Sequence, residues 1–429
     1  MKVLWICNQC LPQIAEKLHI ASSSKEGWLA GLFDALSKKP DRFHLGIAFP
    51  YPDNKDFDFD GISAFGFVED TTRPENYDEA VTERMKQIMN AFRPDVVHVF
   101  GTEYAHTLSA AKALECPKKL LIGFQGVCTA LAENYLVGVD EEWVNSTTLR
   151  DILKDDTLPK QKEKFERRAE HEKEAILLAG YTTGRTRLDS TYSDFLNPDA
   201  KYLPMNETMR STFYDGRWNA EKIKKHSIFV SQCDYPIKGF HILIKALELV
   251  RRDYPDVTVR VAGNTITGVG GIKKKVLIST YGKYLKELMH KTKTSDCIEF
   301  MGYLSAEEVK RELLSCSLFV LPSVMENSPN SLAEAMLLGV PCVASNVGGV
   351  ADILSPERDG ILYEGNDPGN LAAAIRKMFE MVDANDRILS DMLDAAASDA
   401  RARHDGNRNA ETLCSIYETI VQRQERTER

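Results

Sequence analysis

The amino-acid sequence predicts an α/β protein with two doubly wound domains. Apolar runs of strand length alternate with amphipathic helix patterns, which is typical of βαβ units that build parallel sheets. This alternation runs twice, and the second series starts near residue 226. The length of 429 residues fits two domains of ordinary size. We therefore place a first domain at 1–208 and a second at 209–402, with a helix at 405–425 that rejoins the first.

In the first series the predicted strands are continuous apolar runs, as expected where both faces of a sheet are covered. Two helices, Trp28–Leu36 and Ala80–Phe92, lie between them and repeat their apolar positions with the helical period. The charged segment Lys154–Glu174 predicts a solvated helix that leads into Ala175–Leu178. The predicted strands are Val3–Cys7, Leu45–Phe49, Val96–Phe100, Leu120–Phe124 and Gly180–Thr183.

The second series repeats this alternation and is followed by one more helix. In Asn409–Gln422, apolar residues recur at i, i+3, i+4, i+7 and i+8, so this helix must pack on another part of the protein. The predicted strands of the series are Ser227–Ser231, Val257–Ala262, Ile298–Met301, Leu318–Leu321 and Val340–Ala344. The predicted helices are Phe240–Arg252, Ala306–Leu314 and Pro329–Leu338.

Composition and charge exclude several classes of protein. Hydrophobic residues make up 43% of the chain and charged residues 27%, which excludes collagen-like, coiled-coil and disordered proteins. A net charge of −9 disfavours general binding to nucleic acid. No apolar run reaches the roughly 20 residues of a membrane-spanning helix. Nine widely spaced cysteines indicate reduced thiols in a cytoplasmic protein, and no second pair completes a zinc site with Cys7 and Cys10.

The most informative segment is Leu318–Gly349, in which a strand, a loop and a helix follow one another. The loop ends at Ser328, a good N-cap, and Pro329 fits the first helical position. The N–H groups of Asn330 and Ser331 have no acceptor inside the helix and are expected at the carboxyl edge of the sheet. Such a helix start suits a phosphate group.

Two carboxylates bracket this helix start. Glu326 lies in the loop, and Glu334 follows Ser331 by three residues, on the same helical face. One acid on each side of a phosphate site suits a sugar nucleotide, because that ligand has hydroxyl groups on both sides of its diphosphate. The alternative that these residues leave open is a capped helix with two incidental surface acids.

The spacing from Glu326 to Glu334 closely resembles the E-x7-E signature of the family 4 retaining glycosyltransferases of GT-B fold. Further landmarks occur in that family's order, strongest from about 226 to 365 and weaker in the N-terminal half. The resemblance implies two Rossmann-like domains that face one another across a cleft. The landmarks are Lys238-Gly239, Val261-Ala262-Gly263, Phe300-Met301-Gly302-Tyr303, Pro322-Ser323, Gly339-Val340-Pro341, Gly348-Gly349 and Asp359-Gly360.

The resemblance also implies a role for each matching residue. Glu334 would hold the ribose hydroxyls, and Glu326 would bind hydroxyls of the donor sugar. Lys238 would neutralise the diphosphate as the glycosidic bond breaks. Gly27 would let the phosphates approach the backbone of the first domain closely. The other donor-binding positions, mainly through their backbone, are Asn327, Ser328, Asn330, Ser331 and Leu332.

The sequence departs from the family pattern in two places. An Arg usually precedes the lysine by five or six residues, where this chain has Cys233 and Gln232. Arg185 is the replacement candidate, and an ordinary surface-loop arginine is the alternative. Gln125 stands where the family has a His in the first domain, and an amide can hydrogen-bond a sugar hydroxyl but cannot act as a base. Glu103 is the preferred carboxylate on the acceptor side.

Three further features have less specific interpretations. His98 lies within a strand and is expected in the core, whereas His106 follows a polar loop and is expected to face the cleft. The basic run Lys273–Lys293 is interpreted as a solvated face, with contact to an anionic membrane or a lipid-linked acceptor as the sharper alternative.

We therefore expect a retaining hexosyltransferase that moves a sugar from a nucleoside-diphosphate sugar to a hydroxyl of a glycan or lipid-linked acceptor. No cofactor or metal is expected, because Lys238 and the helix N-terminus would supply the charge and no Asp-x-Asp lies near the site. Polysaccharide biosynthesis in the cytoplasm, with peripheral contact at the inner membrane surface, is the expected setting. The alternatives are a nucleotide-sugar epimerase of the same fold and a non-catalytic nucleotide-sugar-binding scaffold.

Overall fold

The computed structural model describes residues 1–20, 27–37, 42–59, 61–264 and 277–428. Backbone contacts divide the chain into two compact units. The first comprises Met1–Thr129, Lys164–Arg210 and Arg403–Arg429, and the second comprises Ala130–Glu163 and Ser211–Ala402. The segment Ala130–Glu163 groups with the second unit, although the sequence placed it in the first domain. Its short helices place their polar contacts on second-unit residues, which the apolar pattern alone does not reveal.

The first unit is built on an eight-stranded sheet with the order β3-β4-β2-β1-β5-β6-β7-β8. Neighbouring strands are parallel except for β3 and β4, which pair antiparallel at one edge. Buried side chains of β1 and β5, such as Leu4, Val97 and Val99, form a core with Met85 and Ile88. The strands are β1 Lys2–Ile6, β2 His44–Pro50, β3 Lys55–Phe59, β4 Ile62–Phe67, β5 Val96–Phe100, β6 Leu120–Gly123, β7 Tyr181–Thr183 and β8 Lys201–Tyr202.

Helices connect these strands along the chain, and those within Ala130–Glu163 group with the second unit. The helices are α1 Pro12–Leu18, α2 Gly27–Ser37, α3 Glu79–Phe92, α4 His106–Ala113, α5 Cys128–Asn134, α6 Glu141–Val144, α7 Leu149–Lys154, α8 Leu158–Leu177 and α9 Arg187–Leu196. The predicted charged helix therefore starts at Leu158 rather than at Lys154, which belongs to α7. It is also not solvated throughout, because Glu172 on α8 is fully buried.

The second unit has a six-stranded parallel sheet with the order β11-β10-β9-β12-β13-β14. This is the doubly wound order in which the first strand, β9, has its successors on both sides. The winding direction reverses between β9 and β12, which pair directly through Ile228 and Leu318. The strands are β9 Ser227–Val230, β10 Thr258–Ala262, β11 Ile298–Gly302, β12 Leu318–Leu321, β13 Cys342–Ser345 and β14 Ile361–Tyr363.

The remaining helices follow in chain order. They are α10 Phe240–Val250, α11 Thr280–Lys291, α12 Ala306–Ser315, α13 Asn330–Leu337, α14 Pro368–Ala384, α15 Arg387–Arg403 and α16 Gly406–Glu428. Over the described part of the chain, none of the helices combines the length and apolar character that a membrane span needs.

The C-terminal helix α16 packs on the first unit, as its apolar stripe requires. Tyr417 is buried, and its hydroxyl accepts a hydrogen bond from Trp5 Nε1 at 2.8 Å. The same hydroxyl lies 2.8 Å from His98 Nδ1. His98 is fully buried, and burial lowers its pKa to about 3, so this histidine is a neutral core residue as predicted. At the surface, Arg42 pairs with Glu418 on α16.

Candidate active site

The two loops at the switch point of the second sheet bring Lys238 and Glu326 together. Lys238 follows β9 and ends a 3-10 turn, and Glu326 lies in the loop after β12. Lys238 Nζ donates to Glu326 Oε1 at 2.7 Å, and Ser323 Oγ donates to the same oxygen at 2.8 Å. Both side chains keep partial access to solvent, 26% for Lys238 and 12% for Glu326. A cation and a carboxylate are therefore exposed side by side where open α/β sheets bind ligands.

The backbone fixes the approach of these two loops. Gly239 has a φ of +65°, and a Cβ at this position would collide with the carbonyl oxygen of Pro322. The N–H of Val324 donates to the carbonyl of Ile237 at 2.8 Å, which ties the loops together on the other side of the pair. The ion pair thus depends on a glycine at 239, because no other residue allows both the backbone angle and the contact.

The helix that carries the second glutamate starts one residue later than the sequence predicts. Asn330 is the first residue of α13, and Pro329 occupies the N-cap position in an extended conformation. Pro329 has no N–H group to donate. Its carbonyl oxygen accepts hydrogen bonds from the N–H groups of Leu332 and Ala333. The first N–H groups of α13 still have no acceptor within the helix.

The remaining predicted donor residues surround this helix start. Asn327, Leu332 and Glu334 are buried, whereas Ser328, Asn330 and Ser331 are partly exposed. Asn330 Oδ1 is buried and has no hydrogen-bond partner among the described residues. Gly339, with a φ of +67°, ends the helix as predicted. The second unit therefore contains Lys238 and the whole predicted loop and helix set on neighbouring elements.

A second polar cluster lies in the first unit, around Gly101 at the end of β5. A Cβ on Gly101 would collide with Glu103 and would lie 2.9 Å from Asn8 Nδ2 and 3.1 Å from Gln125 Oε1. Asn8 Nδ2 donates to Gln125 Oε1 at 3.2 Å. These side chains follow β1, β5 and β6, so the parallel sheet brings Glu103 and Gln125 together at its carboxyl edge. Asn8 was missed from the sequence, although it follows a predicted strand directly.

Glu103 is the acid of this cluster. Its Oε2 is buried and has no hydrogen-bond partner among the described residues. Burial raises the pKa of Glu103, and the nearby Arg168 opposes that shift only in part. The Nε of Arg168 donates to the main-chain oxygen of Glu103 at 2.7 Å and so fixes the turn that carries the acid.

Arg185 is not a surface-loop arginine, and its contacts point inward. Its side chain is 6% exposed and pairs with Glu207, which is also buried. Arg185 Nη2 donates to the main-chain oxygens of Phe124 at 2.8 Å and Gln125 at 3.1 Å. The guanidinium therefore holds the turn that presents Gln125. The expectation that Arg185 binds diphosphate stays a prediction, but these contacts favour a positioning role.

His106 is wrong as a cleft-facing residue, because it is fully buried. It is the first residue of α4, and its Nδ1 lies 2.7 Å from Glu69 Oε2. Its Nε2 lies 3.1 Å from Asn8 Oδ1. The polar loop before His106 suggested an exposed position. The side chain is instead buried, with Glu69 as the hydrogen-bond partner of its imidazole. His106 thereby fixes Asn8, which in turn contacts Gln125.

Glu172 is a buried acid near this cluster, and its carboxylate caps the start of α5. Its carboxylate accepts from the N–H groups of Cys128 at 3.0 Å and Thr129 at 3.3 Å. The Thr102 hydroxyl is a third partner. Burial raises the pKa of Glu172 to about 7, although these hydrogen bonds oppose the shift. Glu172 therefore changes its charge near neutral pH.

Gly27 starts α2, and the Ser22–Glu26 loop before it lies outside the described residues. A Cβ on Gly27 would lie 2.5 Å from Cγ of Arg210, so the glycine makes room for that side chain. The predicted phosphate contact of Gly27 remains untested. Arg210 is a half-buried cation that the sequence interpretation missed, because it lies far from Gly27 in the chain.

Other candidate features are less informative. Cys233 occupies one of the two positions at which the family usually has an arginine. It is buried, and burial raises its pKa to about 12. All nine cysteines are free thiols. The first three lysines of the basic run, Lys273–Lys275, lie outside the described residues, and its other lysines belong to α11 and the turn after it.

The second unit matches a known family. Residues 212–390 match the profile of the family Glycosyl transferases group 1. The chain is 26% identical over 184 residues to a D-inositol 3-phosphate glycosyltransferase of Corynebacterium urealyticum, covering 43% of this chain and 41% of that protein. It is 28% identical over 176 residues to a glycogen synthase of Mycobacterium tuberculosis, covering 41% of this chain and 36% of that protein. Each match spans about two fifths of the relative's length.

Solved structures resemble the chain over nearly its whole length. A sucrose-phosphate synthase from Thermosynechococcus elongatus has a TM-score of 0.69 at 13% identity, covering 98% of this chain and 99% of that one. Alr3699/HepE from Anabaena, in complex with UDP, has a TM-score of 0.63 at 15% identity, covering 98% and 100%. The fold is thus that of the GT-B glycosyltransferases. The match of residues 212–390 to the group 1 glycosyltransferases agrees with the resemblance carried by the E-x7-E segment.

The close approach at Gly239 predicts a specific effect of substitution. Gly239→Ala is expected to destabilise the protein by clearly more than the roughly 1–2 kcal/mol of a left-handed alanine, because its Cβ meets the Pro322 carbonyl. Gly302→Ala is the matched control, since Gly302 has a φ of +77° and open space around its Cβ position. Equal losses of free energy of unfolding in urea titrations would contradict the proposed loop contact.

The raised pKa of Glu172 predicts that stability falls as pH rises. The folded state keeps the Glu172 proton up to a pKa of about 7, whereas the unfolded chain releases it near 4.5. The free energy of unfolding should therefore fall by about 2 kcal/mol between pH 5.5 and 8, relative to Glu172→Gln. Glu174→Gln, at an exposed acid on the same helix, is the control. Parallel pH curves for wild type and Glu172→Gln would refute this prediction.

Proposed function

We propose that the protein transfers a sugar, with retention of configuration, from a nucleoside-diphosphate sugar to a hydroxyl of a glycan or lipid-linked acceptor. The single observation that carries this proposal is the Lys238–Glu326 pair at the switch point of the second sheet, followed at once by the start of α13. The family match and the UDP-bound fold relative support it.

The chemistry of this site fits a sugar nucleotide better than a simple anion. A phosphate alone would use Lys238 and the N–H groups of α13, but it would be repelled by Glu326 and Glu334. Two acids are favourable only if the ligand offers hydroxyl groups to them. We assign Glu326 to the donor sugar and the buried Glu334 to the ribose, with the diphosphate between them.

Lys238 would contribute to rate by stabilising the leaving group. Negative charge grows on the diphosphate as the glycosidic bond breaks, and a fixed cation beside it lowers that barrier. Binding of the diphosphate would draw Lys238 from Glu326 and leave the carboxylate free for a sugar hydroxyl. These contacts need no divalent metal, so we propose that activity persists in EDTA.

Retention without a covalent intermediate is the working mechanism. The Oε1 of Glu326 accepts from Lys238 Nζ and Ser323 Oγ, and we assign this carboxylate to a hydroxyl of the donor sugar rather than to covalent attack. We propose a front-side route in which the departing phosphate oxygen takes the proton of the acceptor hydroxyl. Positioning and leaving-group stabilisation would then supply the rate.

Glu103 and Gln125 are our candidates for the acceptor side. The unpartnered Oε2 of Glu103 can accept a hydrogen bond from an acceptor hydroxyl, and the amide of Gln125 can orient that hydroxyl without acting as a base. Arg185 would position Gln125 rather than bind diphosphate.

Thermal stability in the presence of nucleotides tests donor binding. UDP, GDP, ADP and their sugar conjugates are compared on wild type and Glu334→Ala. A ligand at about 100 times its Kd should stabilise the folded protein by about 2.7 kcal/mol. We expect one nucleotide class to raise the Tm of wild type but not of Glu334→Ala. If none does so, the donor site is wrong.

Product analysis with the donor so identified separates the alternatives. A new glycoside in the presence of an acceptor supports transfer, whereas an isomerised donor indicates an epimerase. Binding without any turnover, and with Lys238→Ala affecting affinity alone, indicates a scaffold. The name of the Corynebacterium relative, a glycosyltransferase, favours the first outcome.

A further inference from the structure

The short helix α7 buries a charge and exposes its aliphatic side chains. Asp151 is its buried side chain, at 1% exposure, while Leu149, Ile152 and Leu153 are 56%, 67% and 68% exposed. A surface helix normally turns its apolar face toward the core. This inverted pattern suits apolar surroundings outside the protein.

Polar contacts hold α7 in this orientation. Asp151 Oδ2 accepts a hydrogen bond from the N–H of Thr280 at 2.8 Å, and the Thr280 hydroxyl is a further donor. Arg150 Nη1 donates to Asp151 at 2.9 Å and to Asp156 at 2.7 Å. The helix cannot rotate its aliphatic face inward without breaking these bonds, so the exposure is built into the fold.

The neighbouring elements add an aromatic side chain and lysines. Lys283, one turn along α11 from Thr280, lies 5.7 Å from the ring centre of Trp143 on α6. Trp143 and the exposed Lys283 and Lys286 line a hollow of about 660 Å³ in the same unit. The α7 side chains do not line this hollow, but the bond between Asp151 and Thr280 joins α7 to the start of the helix that carries both lysines. Exposed aliphatic groups, tryptophan and lysine are the composition of segments that lie at a membrane surface.

We propose that α7 inserts Leu149, Ile152 and Leu153 into the headgroup region of a lipid bilayer, with Lys283 and Lys286 near anionic headgroups. A standard protein interface buries about 800 Å² on each partner, far more than three side chains provide. A bilayer needs no matching surface and accepts each aliphatic group separately. Glu142 and Glu287 lie beside the lysines, so apolar insertion carries most of the binding.

This inference deepens the proposed function, because it would place the protein where a lipid-linked acceptor lies. Vesicle binding is measured without any sugar nucleotide, so its result does not depend on the donor site. Co-sedimentation uses vesicles of phosphatidylcholine alone or with 30% phosphatidylglycerol. The variant Leu149→Ser/Ile152→Ser/Leu153→Ser is compared with Leu177→Ser/Phe195→Ser, which changes two exposed apolar side chains of the first unit.

We expect wild type and the control variant to bind vesicles, and the triple variant to bind at least tenfold more weakly. Wild type that sediments with neither vesicle, or a triple variant that binds as well as wild type, would overturn the proposal. A wild-type dimer that the triple variant abolishes would instead make α7 a protein interface. The nucleotide-dependent Tm of each variant shows independently whether the donor site is intact.

Discussion

The ion pair between Lys238 and Glu326 is the interaction on which the proposed chemistry depends. It exists because the loops after β9 and β12 approach each other where the sheet reverses its winding, and because Gly239 permits that approach. A lysine paired to a carboxylate is a poor site for a free anion, since the carboxylate repels it. The same pair becomes a good site for a ligand that offers phosphate to the lysine and hydroxyl groups to the acid.

The polar cluster of the first unit is organised differently, since its acids are buried and its cations hold backbone turns. Arg168 and Arg185 donate to the main-chain oxygens of Glu103 and Gln125, and so they hold the turns that carry these two side chains. His106 fixes Asn8 through the side-chain oxygen of that residue. A buried polar group that loses its hydrogen-bond partner lowers the free energy of unfolding. We therefore assign Arg168, Arg185 and His106 a structural role in this cluster and no catalytic one.

Much of the fold could be predicted from local patterns, whereas the second-unit site residues were predicted from the E-x7-E segment and its family resemblance. Strands β5 and β12 have the predicted limits, since each is a continuous apolar run between breaks. β3 was missed because its alternating Asp and Phe residues form an exposed edge. The inward direction of Arg185 and the inversion of α7 depend on Glu207 and Thr280, which lie far away in the chain, and no sequence pattern reveals them. The ion pair between Lys238 and Glu326 was not predicted either, because the two residues lie 88 positions apart in the chain.

The most direct test of the central claim compares the affinity of two variants for the nucleoside diphosphate and for its sugar conjugate. Calorimetric Kd values are measured for Lys238→Ala and Glu326→Gln. We predict that Lys238→Ala weakens both ligands by about tenfold or more, because both carry the diphosphate. Glu326→Gln should weaken only the sugar conjugate. Equal effects of Glu326→Gln on both ligands, or no effect of Lys238→Ala on either, would contradict the division of roles within the pair.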